Sequence, residues 1–175
     1  MANRSLTGVL LVGGASSRFG SPKALALFRG RTLAEIAWEK LAFCDERIAV
    51  GKAADGLELP FPVLDDRSEV RAAIAGVVAG LRAAAHEVAV VLPVDAPLVT
   101  PTSLQVLADA CRDAAVPQTG PLPGAYRKTA LPALESGELS LWRAIAALDV
   151  AQLDLDPAEL VNINTPDELE LLQQR

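Results

Sequence analysis

Leu10-Leu11-Val12-Gly13-Gly14-Ala15-Ser16-Ser17-Arg18-Phe19-Gly20-Ser21-Pro22-Lys23-Ala24-Leu25 is the stretch on which the fold reading turns. The apolar run Gly8 to Val12 enters it, and two glycines follow at once. The pattern predicts a buried strand that opens into a loop. Gly13 and Gly14 lack a Cβ, so the main chain can turn tightly and bring its N–H groups close to an anion. Arg18 and Lys23 add positive charge near the same place. The segment is thus a candidate floor for polyphosphate chemistry. It also fits a plain Gly-Gly turn with two solvated charges. It is neither of two familiar glycine loops: Lys23 is followed by Ala24 rather than Ser or Thr, and Gly13, Gly14 and Gly20 do not fit G-x-G-x-x-G.

Working outward, strand-like and helix-like segments alternate. Strands are predicted at 6–12, 47–50, 61–64 and 88–92, with a closing one at 151–155. Helices are predicted at 32–43, where Thr32 can cap, at 70–85, and at 102–114 after Pro101. Pro117, Gly120, Pro121, Pro123 and Gly124 mark 116–124 as a loop, with helical stretches expected at 127–134 and 140–148. Thr165, Pro166 and Glu168 have the spacing of a capped helix start. The order is that of a mainly parallel sheet with helices on both faces. With no repeat and no linker, residues 1–175 are expected to form one domain. Ligands of such sheets bind beyond the carboxyl ends of the strands. Gly13-Gly14, Gly51, Asp65-Asp66 and Asp95 all fall at predicted strand ends and are expected to converge.

Composition narrows the partners. The net charge is −6, which argues against a nucleic-acid partner gripped through its phosphates. A local pair of cations can still hold a nucleotide on an acidic protein. Cys44 and Cys111 are the only cysteines and His86 the only histidine, so neither a zinc site nor a disulfide framework is supported. No run approaches the ~18 apolar residues of a membrane span. Residues 1–8, MANRSLTG, lack the apolar stretch of a signal peptide, and a cytoplasmic location without membrane association is expected. His86 is read as a helix C-terminal cap, and Trp38 and Trp142 as packing residues.

The loop resembles the signature of the MobA-type nucleotidyltransferases, the molybdenum cofactor guanylyltransferases. Leu11 to Lys23 follows a pattern close to L-A-G-G-x-S-x-R-M-G-x-x-K. Val63-Leu64-Asp65-Asp66, the segment Ala75 to Leu81, Leu92-Pro93-Val94-Asp95-Ala96-Pro97 and Val161-Asn162-Ile163-Asn164-Thr165-Pro166 follow in the family's order. The resemblance covers nearly the whole chain. It implies a Rossmann-like three-layer α/β fold of the nucleotide-diphospho-sugar transferase type. It further implies an Mg²⁺-dependent transfer of GMP from GTP to molybdopterin or Mo-molybdopterin, with release of pyrophosphate. On this reading Arg18, Lys23 and Asp95 are catalytic, and Asp95 is the metal ligand. Main-chain groups of Leu11, Val12, Gly13 and Gly14 hold the purine, with Asp66 a further nucleotide contact and Asp65 its neighbouring alternative. Gly76, Asn162 and Asn164 fall to the second substrate. Other proteins of molybdenum cofactor biosynthesis are possible partners. The double glycine points to guanine rather than cytosine. A sister enzyme with another phosphorylated acceptor, or a non-catalytic nucleotide-binding module, is the competing reading. Arg127 and Lys128 fit either the substrate side or a solvated surface. The chain departs from the family's usual residues at Val12, Phe19 and Val94, and has Gly51 where relatives often carry Asn. It also lacks a Gly-Pro before the glycine helix, at 71–74, and has a short 118–124 loop.

Overall fold

The computed structural model describes residues 5–13 and 19–174. Its centre is the strand β1 (Leu6–Leu11), buried along its whole length. β1 lies between β4 (Glu46–Gly51) and β6 (Val88–Pro93), parallel to both. β5 (Val63–Asp65) adds outside β4, again parallel. On the other side β8 (Gly124–Arg127) pairs antiparallel with β6 and with β7 (Ala114–Pro117), and β9 (Val150–Leu153) runs parallel to β7. The sheet order is β5-β4-β1-β6-β8-β7-β9, and only β8 runs against the rest. A small antiparallel pair, β2 (Leu27–Phe28) and β3 (Arg31–Thr32), stands apart from it.

Both faces are covered, which explains why β1 and β6 read as continuous apolar runs. Leu6 and Leu10 point into one cluster with α1 (Leu33–Lys40), α3 (Pro101–Ala110) and α6 (Pro166–Gln173). Val9 and Leu11 point into the other, with α2 (Ala73–Ala83), α4 (Leu131–Leu134) and α5 (Leu141–Ala144). The result is the three-layer α/β architecture expected from the alternation. Thr32 and Thr165 cap α1 and α6 through full capping boxes with Glu35 and Glu168.

The main departure lies between residues 111 and 127. The predicted helix over 102–114 stops at Ala110, and Ala114-Ala115 enters the sheet as β7. Of the loop predicted over 116–124, residues 118–123 are loop, while its first two residues belong to β7 and its last, with the start of the predicted 127–134 helix, to β8, which slots between β6 and β7. Alanine carries no strand preference of its own. The pairing is imposed by burial, with Tyr126 fully enclosed and its hydroxyl donating to the Pro121 carbonyl. Burial pushes the Tyr126 hydroxyl well above its ordinary pKa. His86 does not cap α2: Ala84 closes that helix, and the His86 amide donates to Thr7 Oγ1 at 3.4 Å. Trp38 packs as expected, stacked on Phe61 at 4.1 Å between ring centroids, whereas Trp142 is 48% exposed. Cys44 and Cys111 are both buried. Burial raises the Cys44 thiol to about 12, so it is a packing residue rather than a nucleophile.

Close approach of α2 to β1 depends on glycine. A Cβ at Gly80 would lie 2.5 Å from Val9 Cγ1, and one at Gly76 would lie 2.9 Å from Leu11 Cδ2. Gly80→Ala gains about 1 kcal/mol of helix propensity. Overpacking against a stiff, fully buried valine costs about 1–3 kcal/mol. The clash wins, so Gly80→Ala is expected to lower the urea midpoint, and adding Val9→Ala should recover part of the loss. A higher midpoint for the single variant would contradict this packing.

Candidate active site

At the carboxyl ends of β1, β4, β5 and β6 lies a crevice of about 310 Å³. Its lining includes Leu11, Gly13, Gly51, Asp66, Asp95 and Asn162, so the strand-end convergence predicted from sequence is met. The strand ends are tied by main-chain bonds made beyond the regular ladders. Asp66 N–H donates to the Gly51 carbonyl (2.9 Å), Val12 N–H to Val50 (2.9 Å) and Val94 N–H to Leu11 (3.1 Å). Asp95 then accepts from Ile163 N–H at 2.8 Å, which docks the 162–164 segment onto the same row. Ile163 is fully buried, so Asn162 and Asn164, one residue to either side, are exposed together on the opposite face.

Lys23 Nζ lies 3.4 Å from Asp95 Oδ2 and 3.5 Å from Asn164 Oδ1. Three residues drawn from distant parts of the sequence therefore meet at one point. The Asp95 side chain keeps 26% of its surface in solvent, so it is reachable from the crevice. Asp65 and Asp66 separate clearly. Asp66 lines the crevice, whereas Asp65 accepts from the amides of Ala53 (3.3 Å) and Arg67 (3.2 Å). Those amide bonds hold the Asp65 carboxyl below its usual range. Asp65 is thus engaged by the turn, and of the two carboxylates it is Asp66 that lines the crevice.

Several expected contacts change. Val12 is buried beneath the floor rather than on the wall, and its N–H is already bonded to Val50. The Leu11 carbonyl is likewise committed, to Val94. Gly13 does line the crevice. Gly76 lines it too, but as the residue that lets α2 approach Leu11. Gly14 and Arg18 lie outside the described residues. Arg127 is not on the substrate side: its register partner is Val88, at the amino end of β6, and it donates to the carbonyls of Arg112 (2.8 Å) and Cys111 (3.3 Å).

Two crevice cations escaped the sequence reading. Lys52 bonds Asp66 Oδ1 (2.9 Å), Asp66 Oδ2 (3.1 Å) and the Ser68 carbonyl (2.5 Å). Arg71 also lines the crevice and is paired with Asp55 at 2.8 Å. No motif announces either one; only its position beside a predicted strand end or helix start could have flagged it. α2 begins at the crevice, and its N-cap Ala72 offers no side-chain acceptor to the first-turn amides. Those donors and the positive end of the helix favour an anion there.

Among the described residues no three His, Cys, Asp or Glu side chains gather as a metal cage. Asp95 is a lone hard-oxygen donor at a strand end. That set suits a divalent cation that takes one or two protein carboxylates and fills its remaining positions with water and phosphate oxygens.

The match to known proteins agrees with this geometry. Residues 8–152 match the MobA-like NTP transferase domain. The chain is 33% identical to a probable molybdenum cofactor guanylyltransferase of Chloroflexus aggregans, covering 96% of this chain and 93% of the relative. It is also 33% identical to its Deinococcus radiodurans counterpart, over 97% and 95%. Among solved structures, it resembles molybdopterin-guanine dinucleotide biosynthesis protein A from Archaeoglobus fulgidus, with a TM-score of 0.81, 26% identity, and coverage of 96% and 97%. The fold is that of a nucleotidyltransferase. The chain belongs to the MobA-like NTP transferase domain family. Among the described residues no helix is long and apolar enough to cross a membrane.

Two tests follow from the packing around the site. A Cβ at Gly51 would sit 2.9 Å from Val12 Cγ2 and 3.2 Å from Val63 Cγ1. Gly51→Ala is therefore expected to destabilise by about 1–3 kcal/mol, with the loss largely relieved in a Val12→Ala background; additive losses in a double-mutant cycle would refute the contact. Lys40, at the end of α1, has its pKa lowered to about 8 by burial, with Glu159 pulling in the opposite direction. From about pH 8 to the ordinary lysine value near 10.5, the unfolded chain holds a proton that the folded chain has released. This site therefore adds stability as pH rises through that window. The urea-midpoint difference between wild type and Lys40→Met should shift in favour of wild type between pH 7.5 and pH 10; a flat difference would contradict the burial.

Proposed function

We propose that this chain is an Mg²⁺-dependent guanylyltransferase that moves GMP from GTP onto the terminal phosphate of molybdopterin or Mo-molybdopterin, with residues 1–175 acting as one catalytic unit. The observation that carries the reading is the meeting of Lys23, Asp95 and Asn164 beside a crevice floored by Gly13 and Gly51. The names of the relatives supply the acceptor and the base.

In this reaction an oxygen of the acceptor phosphate attacks the α-phosphorus of GTP. The bond from that phosphorus to the bridging oxygen breaks, and the electron pair leaves with pyrophosphate. No protein nucleophile is needed. Catalysis then rests on alignment and on stabilising charge that builds on the phosphate oxygens. Lys23 holds the triphosphate and the departing pyrophosphate, together with Arg18. Its contact with Asp95 is the longer of the two crevice Lys–Asp pairs, at 3.4 Å against 2.9 Å for Lys52–Asp66, so it is the contact a phosphate can replace. Asp95 is the residue that would hold Mg²⁺, and the cation would supply neutralisation of phosphate charge. Gly13 and Gly14 give the purine a main-chain surface, and the amides opening α2 face the same anion. Asp66, fixed by Lys52 and by Ser68 N–H (2.9 Å), presents an oriented carboxylate to the nucleotide. Asn162 and Asn164, exposed together, serve the pterin edge or its phosphate through amide donors and acceptors.

The test is pyrophosphate release from GTP with Mg²⁺ and molybdopterin, with CTP as the base control. Release should be GTP-selective and acceptor-dependent. Asp95→Ala and Lys23→Ala should each lower kcat/KM by about 10²–10³-fold, the usual scale for loss of one preorganised charge-stabilising group. GTP binding without any pyrophosphate would refute the acceptor or the catalytic assignment, and a preference for CTP would refute the guanine assignment.

A further inference from the structure

The turn that carries Asp95 is held by two charged groups that line no part of the crevice. After β6 the chain makes two tight turns, closed by Ala96 N–H to the Pro93 carbonyl (3.3 Å) and by Val99 N–H to Ala96 (3.4 Å). These bonds are long, and a turn held by them alone is soft. Lys40 Nζ donates to the Pro97 and Val99 carbonyls, at 2.7 Å for Val99. Both acceptor residues are buried. At the end of the turn a single oxygen, Glu159 Oε2, accepts from Thr100 N–H (3.2 Å), Thr100 Oγ1 (3.0 Å) and Ser103 Oγ (2.6 Å). Glu159 belongs to the turn that leads into Asn162–Asn164, and that segment is bonded directly to Asp95 through Ile163 N–H.

The direct acceptors of Lys40 are neutral carbonyls, and its ammonium is largely withdrawn from water. Burying a charge in that way is costly, and an unbranched apolar chain of similar length would fill the space without the cost. What an apolar chain cannot do is fix two carbonyls at defined points. The residue thus trades stability for placement of the turn.

We propose that Lys40 is a positioning residue. It holds the 94–100 turn, with Glu159 holding the end of that turn at Thr100, so that the Asp95 carboxylate and the Asn162–Asn164 segment keep one mutual geometry, and it acts only through the main chain. The catalytic consequence rests on the guanylyltransferase reading above; the hold on the turn does not. A displacement of about 1 Å at the reacting groups is enough to cost on the order of 10²-fold in rate.

The experiment compares the full chain with Lys40→Met and Glu159→Gln by two readouts. The first is amide hydrogen exchange with no substrate present. Amides of 94–100 and 162–164 should exchange at least about 10-fold faster in Lys40→Met, with α2 and β4 unchanged, and Glu159→Gln should give a smaller rise in the same segments. The second is steady-state guanylyl transfer to molybdopterin. In Lys40→Met, kcat should fall about 10–100-fold with KM for GTP within about two-fold of wild type. Unchanged exchange in the turn overturns the proposal, and so does faster exchange spread evenly over α2 and β4, which would mark a general packing role. A loosened turn with unchanged kcat, or a change confined to KM, overturns the catalytic part. If wild type itself transfers nothing, the functional reading fails, and the exchange result alone decides whether Lys40 holds the turn.

Discussion

The crevice depends on a row of main-chain hydrogen bonds that continues after the strands have ended. It runs from Asp66 to Gly51, from Val12 to Val50, from Val94 to Leu11, and from Ile163 to Asp95. Each bond is modest in net worth, about 1 kcal/mol. Together they leave the first residues beyond four strands no freedom to drift apart. Every side chain assigned a task in the described part of the site sits on or beside that row. The chemistry of such sites demands placement to within a fraction of an ångström. A rigid sheet edge supplies it more surely than free loops.

Placement alone would still leave the crevice with the wrong field, because the chain as a whole is acidic. Among the described residues the local balance includes three pairs: Lys23 with Asp95, Lys52 with Asp66, and Arg71 with Asp55. They differ in kind. Lys52 makes three short bonds, and both members of its pair are largely buried, so that pair is a fixed strut between β4 and β5. Lys23 and Asp95 meet at longer range with Asp95 partly in solvent, so that pair is the looser of the two. The half-exposed Arg71 can turn toward a ligand at little cost, since an exposed ion pair is worth only about 0–1 kcal/mol.

The parts of this arrangement legible in the sequence are those encoded locally. β1 and β6 announce themselves by unbroken apolar runs, and Thr32 and Thr165 by capping boxes. Asn162 and Asn164 are exposed together because Ile163 between them belongs to the core. The parts that stayed hidden are encoded at long range. β7 (Ala-Ala-Val-Pro) and β8 (Gly-Ala-Tyr-Arg) are too short and too mixed to read as strands, and they become strands through their pairing with β6, β9 and each other. Lys52 and Arg71 carry no pattern, and their partners lie 14 and 16 residues away. Lys40 reads as an ordinary end-of-helix cation, while its acceptors lie 57 and 59 residues further on. Which of Asp65 and Asp66 faces the crevice is likewise set by the fold: both carboxylates accept backbone amides, and Asp66 is the one in the lining.

Packing also decides how close the strand ends can come. At Gly51 and Gly76 an added Cβ would come within 2.9 Å of a neighbouring side chain, and at Gly13 within 3.3 Å of the Gly51 backbone. The side chains met are Val12 and Val63 at Gly51 and Leu11 at Gly76, so these glycines set how closely β1, β4, β5 and α2 pack around the crevice. A larger residue at any of them would have to push neighbouring elements apart, and with them the ends that the row of main-chain bonds joins. The bonds and the glycines are thus one constraint: the row can form only where the strands lie this close.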